Sequence, residues 1–231
     1  VMFDIAAQIL YEDNHLIVFN KRSGEIIQGD KTGDEPLSEK MKAFIAQRDQ
    51  KPGLVFMGVP HRLDRPVSGV VILAKTSKAL ERLNEMFRSG GEKVEKIYWA
   101  VVEHCPDPQE GELTHYLLRN EKQNKSYAYQ IPKNGAKESK LRYSLIKATT
   151  NYFLVEVHLL TGRHHQIRCQ LSAIGCPIKG DLKYGARRSN KDGSISLHAR
   201  GIKFIHPVKR EAIEIIADCT IFGEYYPGSV N

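Results

Sequence analysis

The chain has 231 residues, of which 41% are hydrophobic and 26% charged, and its formal net charge is +7 at pH 7. This composition is ordinary for a globular protein of one sizeable domain or two small ones. No apolar run approaches the roughly 20 residues of a membrane helix, so we expect no membrane partner, and the positive charge favours a polyanionic one.

The first 90 residues predict a hairpin followed by two helices. Residues 9–20 contain two short apolar segments around a polar turn, which is typical of a β-hairpin. A helix is predicted from Ser38 to about Arg48. A second helix is predicted with Ser77 as its cap and Gly90-Gly91 at its end. It carries apolar side chains at helical spacing, which we expect in the core: Leu80, Leu83, Met86 and Phe87.

Segment 61–69 reads HRLDRPVSG and precedes the apolar run 70–74, which predicts a turn leading into a buried strand. The turn sets Asp64 between Arg62 and Arg65. Neighbouring positive charge lowers the pKa of a carboxyl, so we expect Asp64 to be ionised and available as a nucleophile or base. The alternative is an exposed turn with a local Arg–Asp pair.

Strands dominate the chain from Lys96 onward. Candidate strands lie at 96–103, 112–118, 126–131, 139–148, 152–160, near 195–206 and at 211–217. Several alternate polar and apolar residues, as a half-buried antiparallel sheet requires. Successive strands without helical crossovers predict the α+β class, with a mixed, largely antiparallel sheet and flanking helices. Because the chain has no low-complexity linker or internal repeat, we expect one catalytic domain over residues 1–231.

Segment 160–168 reads LTGRHHQIR and opens a predicted helix over 164–174. Ile167, Leu171 and Ile174 follow each other at spacings of four and three, so they share the inward face. Arg168 adjoins Ile167 and can point into a cleft, although an ordinary surface arginine is the alternative.

These segments resemble the RluA-type family of RNA pseudouridine synthases. The family patterns read approximately H-R-L-D-x-x-x-S-G, T-G-R-x-H-Q-I-R and G-x-P-I-x-G-D-x-x-Y-G, and the third matches segment 175–185. Further agreement comes from the blocks KIYWA at 96–100, LHA at 197–199 and FIHP at 204–207. The blocks occur in the family's order over about residues 10 to 217. The resemblance implies the pseudouridine synthase fold with an active-site cleft.

The resemblance also implies roles for individual residues. Asp64 corresponds to the catalytic carboxylate, which acts as nucleophile, as base at C2′ or as partner of a sugar cation. Arg168 corresponds to the arginine that pairs with this carboxylate. Tyr98 corresponds to the catalytic tyrosine, whose ring packs against the flipped uracil and whose hydroxyl helps to move the C5 proton. A strand tyrosine is otherwise usually a packing residue. Candidate RNA-binding residues are Arg62, Arg65, Arg163, His165, Gln166, Lys183, Arg187 and Arg188.

Two basic runs border the proposed active segments. Residues 119–147 contain eight Lys or Arg against two acids, and a second run consists of Lys183, Arg187, Arg188 and Lys191. Each run is a candidate for phosphate contacts or for an ordinary solvated face. Together they favour RNA, either a ribosomal or a transfer RNA stem-loop, as the partner of a monomeric protein.

No cofactor or metal is expected, because the sequence lacks the common phosphate-loop, dinucleotide and zinc-protease motifs. The adjacent His164 and His165 are not a metal signature, since neighbouring residues diverge around a helix. The chain has four cysteines without a C-x-x-C spacing: Cys105, Cys169, Cys176 and Cys219. This pattern predicts reduced thiols and a cytoplasmic location.

The sequence departs from the family pattern at three places. KRSG at 21–24 replaces the common K-P-x-G, Val67 stands where threonine is frequent, and Gln170 stands where histidine is frequent. None of these departures removes a proposed catalytic side chain, and they bear on the identity of the RNA target. A non-catalytic RNA-binding protein on the same fold is one alternative function. A nucleoside or glycoside hydrolase that pairs Asp64 with Glu103 is another, although such hydrolysis usually needs two well-placed carboxyl groups.

Overall fold

A computed structural model describes residues 4–90, 93–218 and 220–225. These residues form two compact units. The first unit contains the described residues up to Val94 together with Gly201–Asp218, and the second contains Glu95–Arg200 with 220–225. The single catalytic domain over 1–231 stays a prediction. Within the described ranges, every helix is too short to cross a bilayer.

The elements follow one another along the chain in this order: α1 (Ile5–Gln8), β1 (Ile9–Glu12), β2 (Leu16–Lys21), α2 (Leu37–Arg48), β3 (Ser68–Ala74), α3 (Ser77–Arg88), β4 (Val94–Val102), β5 (Glu110–Asn120), β6 (Lys125–Tyr129), β7 (Lys137–Ala148), β8 (Phe153–Leu159), α4 (Gln166–Ala173), β9 (Leu197–Ile205) and β10 (Ala212–Ile216). Short 3-10 helices occupy Leu182–Tyr184 and Thr220–Tyr225.

The first unit buries β2 and β3 on both faces. The strands run in the order β1-β2-β3-β9-β10, and β2 pairs antiparallel with β3 from Leu16 opposite Ala74 to Lys21 opposite Gly69. Alternate residues of β2 and β3 pack in a cluster with α3, and the remaining ones pack in a cluster with α2. Two covered faces explain why β3 is apolar from Val70 to Ala74 and does not alternate there.

The second unit is an antiparallel sheet with one helix packed on it. Its strands run in the order β9-β4-β8-β7-β5-β6, and the first residues of β9 belong here while the last belong to the first unit. Helix α4 contacts β5 and β6. On this side Leu117 of β5, Cys169 of α4 and Tyr184 form a buried cluster. The predicted α+β class with a largely antiparallel sheet is confirmed.

The predicted element boundaries need two corrections. Thr76, not Ser77, caps α3, because its side chain accepts a hydrogen bond from the backbone N–H of Ala79. Helix α4 begins at Gln166, two residues later than predicted, because His165 has left-handed backbone angles (φ 52°, ψ 29°). Helix α3 ends at Arg88, two residues before Gly90, which has a positive φ of 76°. Gly91 and Cys219 lie outside the described residues.

Candidate active-site residues

The Asp64 turn of the first unit is tied to the core through a buried lysine. Lys21 ends β2 with a fully buried side chain. Its Nζ donates hydrogen bonds to the carbonyl oxygens of Arg22 (3.0 Å), Arg65 (3.0 Å) and Val67 (2.6 Å). A further bond joins the N–H of Val67 to the carbonyl of Asp64 at 3.0 Å, which closes the turn. The half-buried Asp64 therefore lies on a backbone that one ammonium group holds in place.

Burial lowers the pKa of Lys21 to about 8, while the negative charges of Glu25 and Asp64 oppose this shift. A buried ammonium is costly unless it is fully hydrogen-bonded, and three carbonyl groups meet that requirement here. Sequence reasoning missed this residue. The available signal was a lysine at the end of an otherwise apolar strand, at the start of the KRSG block.

The flanking arginines of Asp64 differ in their surroundings. Arg62 is exposed. Arg65 binds Asp34 (2.7 Å) and Asp30 (2.8 Å) through its two terminal nitrogens, and it also donates to the carbonyl of Gly24. The guanidinium of Arg65 thus cross-links the loop after β2, a contact that the sequence did not suggest. The predicted contacts of both arginines with RNA stay predictions.

His61, the first residue of the HRLD segment, is a fixed anchor of the turn. Its Nε2 accepts a hydrogen bond from the backbone N–H of Ile72 at 2.9 Å, so the ring hydrogen is on Nδ1. The ring stacks on Phe87 of α3 with centroids 4.5 Å apart and planes at 16°. The turn that carries Asp64 is therefore attached to both β3 and α3.

In the second unit, the carboxylate of Asp181 binds Arg168 in a two-pronged ion pair. Nε of Arg168 donates to Oδ2 at 2.7 Å and Nη2 donates to Oδ1 at 2.9 Å. The side chains are only 7% and 1% exposed, so the alternative of an ordinary surface arginine is wrong. The predicted pairing of Arg168 with Asp64 stays a prediction.

His165 binds Arg168 from the other side. Nη1 of Arg168 lies 3.2 Å from Nε2 of His165, and Nδ1 of His165 lies 2.8 Å from the hydroxyl of Tyr184. A guanidinium only donates, so Nε2 accepts and Nδ1 carries the ring hydrogen. Burial, and then the charge of Arg168, lower the pKa of His165 to about 2. His165 is therefore a neutral, buried component of the protein's own network.

Gln166 fixes the loop formed by Thr161, Gly162 and Arg163. Its Oε1 accepts from the Thr161 hydroxyl (2.8 Å) and from the N–H of Arg163 (2.9 Å), and its Nε2 donates to the carbonyl of Lys140 (3.0 Å). The residue is buried, whereas Arg163 is exposed. These hydrogen bonds show that Gln166 stabilises the loop that precedes α4. The RNA contacts predicted for Gln166 and Arg163 stay predictions.

Gln170, which stands where histidine is frequent in the family, occupies a core position. Its Nε2 donates to Nδ1 of His115 at 2.9 Å and to the carbonyl of Ser139 at 3.2 Å. The side chains of Gln170 and His115 are both buried. The departure thus concerns the packing of α4 on the sheet.

The remaining predicted residues lie at separate places in the second unit. Tyr98 is a half-buried residue of β4 opposite Val157. Exposed Lys183 donates to the carbonyl oxygens of Asn124 (2.9 Å) and Gln123 (3.3 Å). The side chains of two further candidates, Arg187 and Arg188, are exposed.

Glu103 has a structural task in the second unit. Its Oε1 accepts a hydrogen bond from the backbone N–H of Arg187 at 2.9 Å, so the carboxylate holds the backbone of the second basic run at this residue. Among the described residues, no three His, Cys, Asp or Glu side chains group as metal ligands would. Cys105, Cys169 and Cys176 are free thiols.

Comparison with known proteins identifies similar chains. The family model described as RNA pseudouridylate synthase matches residues 15–173. Ribosomal large subunit pseudouridine synthase C of Vibrio cholerae is 33% identical over 215 residues, which are 90% of this chain and 64% of that relative. The protein of the same name from Escherichia coli is 32% identical over 221 residues, or 92% and 66% of the two chains. The chain thus spans about 64% of the length of the first of these relatives.

Two solved structures are similar in fold. Human RNA pseudouridylate synthase domain containing 4 has a TM-score of 0.78 at 24% identity, covering 94% of this chain and 90% of its own. Human RNA pseudouridylate synthase domain containing 1 has a TM-score of 0.72 at 22% identity, covering 95% and 86%. At this level of identity the likeness shows the fold alone.

Proposed function

The chain belongs to the RNA pseudouridylate synthase family, and from this we propose that it is an RNA pseudouridine synthase, an isomerase that converts specific uridines of structured RNA to pseudouridine. One observation carries the proposal. The matched range 15–173 contains both the turn of Asp64 and the segment of Arg168, and in each unit the surrounding structure holds these side chains or their backbone in place.

We propose large-subunit ribosomal RNA as the substrate. The support is the name of the Vibrio cholerae and Escherichia coli relatives, ribosomal large subunit pseudouridine synthase, at 33% and 32% identity. Transfer RNA is the other candidate that the sequence left open. A base must leave its stack to be modified, so we expect the uridine in a loop or in a weakly stacked position.

The proposed chemistry needs no outside reagent. The bond between N1 and C1′ breaks, the uracil turns over, C5 bonds to C1′, and the hydrogen displaced from C5 ends on N1. Bond breaking makes the sugar positive and the base negative. Asp64 is proposed as the catalytic carboxylate acting at C1′ or C2′. Arg168 is proposed as the cation that balances the charge of this carboxylate.

Tyr98 is proposed as a catalytic residue whose ring also holds the flipped base, and the basic residues are proposed to bind RNA. An aromatic ring on a strand gives a base a stacking surface worth about 1–3 kcal/mol. Arg62, Arg163, Lys183, Arg187 and Arg188 are exposed cations, which suits phosphate contacts. We further propose a monomer with one catalytic domain, in the cytoplasm.

The deciding experiment maps pseudouridine. Purified protein is incubated with unmodified ribosomal RNA and, separately, with transfer RNA, and each nucleotide is read by a pseudouridine-specific chemical label. Pseudouridine at defined positions supports the proposal. Release of free uracil indicates the hydrolase, and binding without any change of uridine indicates the non-catalytic RNA-binding protein. Either of these two outcomes contradicts the proposal.

A further inference from the structure

Arg168 and Asp181 form a buried ion pair whose geometry is set from both sides. The fork of the guanidinium meets both carboxylate oxygens, at 2.7 and 2.9 Å. Such a two-pronged contact fixes the plane of the guanidinium as well as its position. The ring of Tyr184 lies under the same group, with the guanidinium carbon 5.1 Å from the ring centroid.

The backbone of Asp181 is itself fixed. Its N–H donates to the carbonyl of Ile178 at 3.0 Å, and its carbonyl accepts from the N–H groups of Tyr184 (3.1 Å) and Ala186 (3.0 Å). Asp181 therefore directly precedes the 3-10 helix Leu182–Tyr184, within a closed turn. The carboxylate is presented to Arg168 by rigid backbone.

On the opposite side, His165 holds the third nitrogen of the guanidinium. Its ring is fixed by the Tyr184 hydroxyl, which also accepts the backbone N–H of Ser126 at 2.8 Å. The side chains of Asp181, Arg168, His165 and Tyr184 therefore form one network. It is fixed to the backbone at one end by the turn of Asp181 and at the other by the N–H of Ser126.

We propose that Asp181 is a positioning residue for pseudouridine formation, acting through Arg168. This inference rests on the proposed function. A guanidinium stays protonated in proteins whatever its surroundings, so Asp181 is not needed to charge Arg168. What the carboxylate supplies is orientation, because a long arginine side chain otherwise samples many rotamers.

Stability alone does not account for the pair. The desolvation of two buried charges offsets most of their attraction, and apolar replacements of such pairs are often equally stable. Orientation of a reacting or stabilising group is different, because a misplacement of about 1 Å can cost about 100-fold in rate. The buried pair is therefore explained better by the placement of Arg168 than by folding.

The test compares Asp181→Asn with Asp192→Asn, an exposed carboxylate of the same unit. The amide keeps the shape of the side chain, but its NH₂ group cannot accept from either nitrogen of Arg168, so one of the two bonds is lost and the guanidinium is no longer fixed. Single-turnover rates are measured with excess enzyme on a transcribed fragment of ribosomal RNA that carries the uridine mapped for the wild type. We expect the rate at saturating enzyme to fall about 30- to 100-fold in Asp181→Asn. The half-saturating concentration should stay within about threefold, and Asp192→Asn should match the wild type.

A double-mutant cycle separates positioning from a general structural effect. If Asp181 acts through Arg168, then adding Asp181→Asn to Arg168→Met changes the rate by less than about twofold. If its effect were independent, the two losses would multiply. The NMR signal of the Arg168 Nε–H, identified by its absence in Arg168→Met, reports orientation directly. We expect it to be protected from hydrogen exchange in the wild type and unprotected in Asp181→Asn.

Several outcomes overturn the inference. These are a wild-type rate in Asp181→Asn, multiplied losses in the double variant, a rate loss equal to the unfolded fraction measured by thermal melting, and an unchanged Nε–H signal. Each of them, obtained with an active wild type, leaves the proposed function intact. A wild type that forms no pseudouridine in ribosomal or transfer RNA contradicts the proposed function and this inference together.

Discussion

The segments that carry Asp64 and Arg168 are each held by a buried cation, but the two cations have different partners. In the first unit, the ammonium of Lys21 binds three neutral carbonyl groups around the Asp64 turn. In the second unit, the guanidinium of Arg168 binds the carboxylate of Asp181. One buried cation is thus stabilised by dipoles and the other by an opposite charge.

This difference sets how each region responds to pH. The carbonyl dipoles offset only part of the desolvation cost of burying the ammonium, so the pKa of Lys21 falls to about 8. The lysine can therefore titrate at mildly alkaline pH. Arginine does not titrate, and its carboxylate partner supplies a full opposite charge. The Asp64 turn is therefore the pH-sensitive region, and the Arg168 cluster depends on the integrity of an ion pair.

The largest effect is expected from Asp64→Asn. The change keeps the size of the side chain but removes the charge and the nucleophile, so pseudouridine formation should fall below detection. RNA affinity, measured by filter binding, should stay within about tenfold, or about 1.4 kcal/mol. Asp49→Asn, an exposed carboxylate of the same unit, serves as the control. Substantial activity of Asp64→Asn would remove Asp64 from the mechanism.

Arg168→Met should reduce both activity and stability. It leaves the buried carboxylate of Asp181 without its guanidinium, which typically costs about 3–5 kcal/mol, measured as the free energy of unfolding in urea. If Arg168 is the proposed partner of the catalytic carboxylate, the acid limb of the pH–rate profile of the residual activity should move to higher pH, because the variant lacks this cation. Arg163→Met, on an exposed arginine of the same segment, is the matched control for the loss of stability. A near-normal rate with an unchanged profile contradicts the role of Arg168.

Lys21→Met tests the pH sensitivity of the first region. The folded-state pKa of about 8 lies below the ordinary 10.5, so between these values the unfolded chain binds more protons than the folded one. The free energy of unfolding of the wild type, relative to Lys21→Met, should therefore rise from pH 8 to 10.5, by at most about 1.4 kcal/mol per pH unit. Urea titrations over this range measure it, with Lys133→Met as the exposed control. A flat difference shows that Lys21 does not titrate there.

The smallest effect is expected from Arg187→Ala/Arg188→Ala. If both side chains contact phosphates, the plot of log affinity against log salt should flatten by about 0.7–0.9 per lost contact. Phosphate contacts carry no sequence information, so target and unrelated RNA should lose affinity about equally while the saturated rate is kept. An unchanged salt slope identifies the two arginines as a solvated face.

Local sequence patterns predicted the strands β1 to β10 and the helices α2 to α4 in their order, but not α1. Apolar alternation follows the pleat of a strand directly, and so β7 and β8 were predicted to within about two residues. The motif spacing also identified the segments around Asp64 and Arg168. Local patterns suffice here because period and turn chemistry act between residues that are close in the chain.

Only the tertiary structure decided which groups these residues contact. Asp181 lies thirteen residues after Arg168 and meets it because the chain turns back after α4. Lys21 reaches the carbonyl of Val67, 46 residues away, because β2 and β3 are paired. Asp181 and Lys21 both belong to sequence motifs, but their contacts cannot be read from the motifs. A salt bridge or hydrogen bond depends on distances that burial and strand pairing set. These contacts form only when the core has placed the backbone, and local sequence patterns therefore do not predict them.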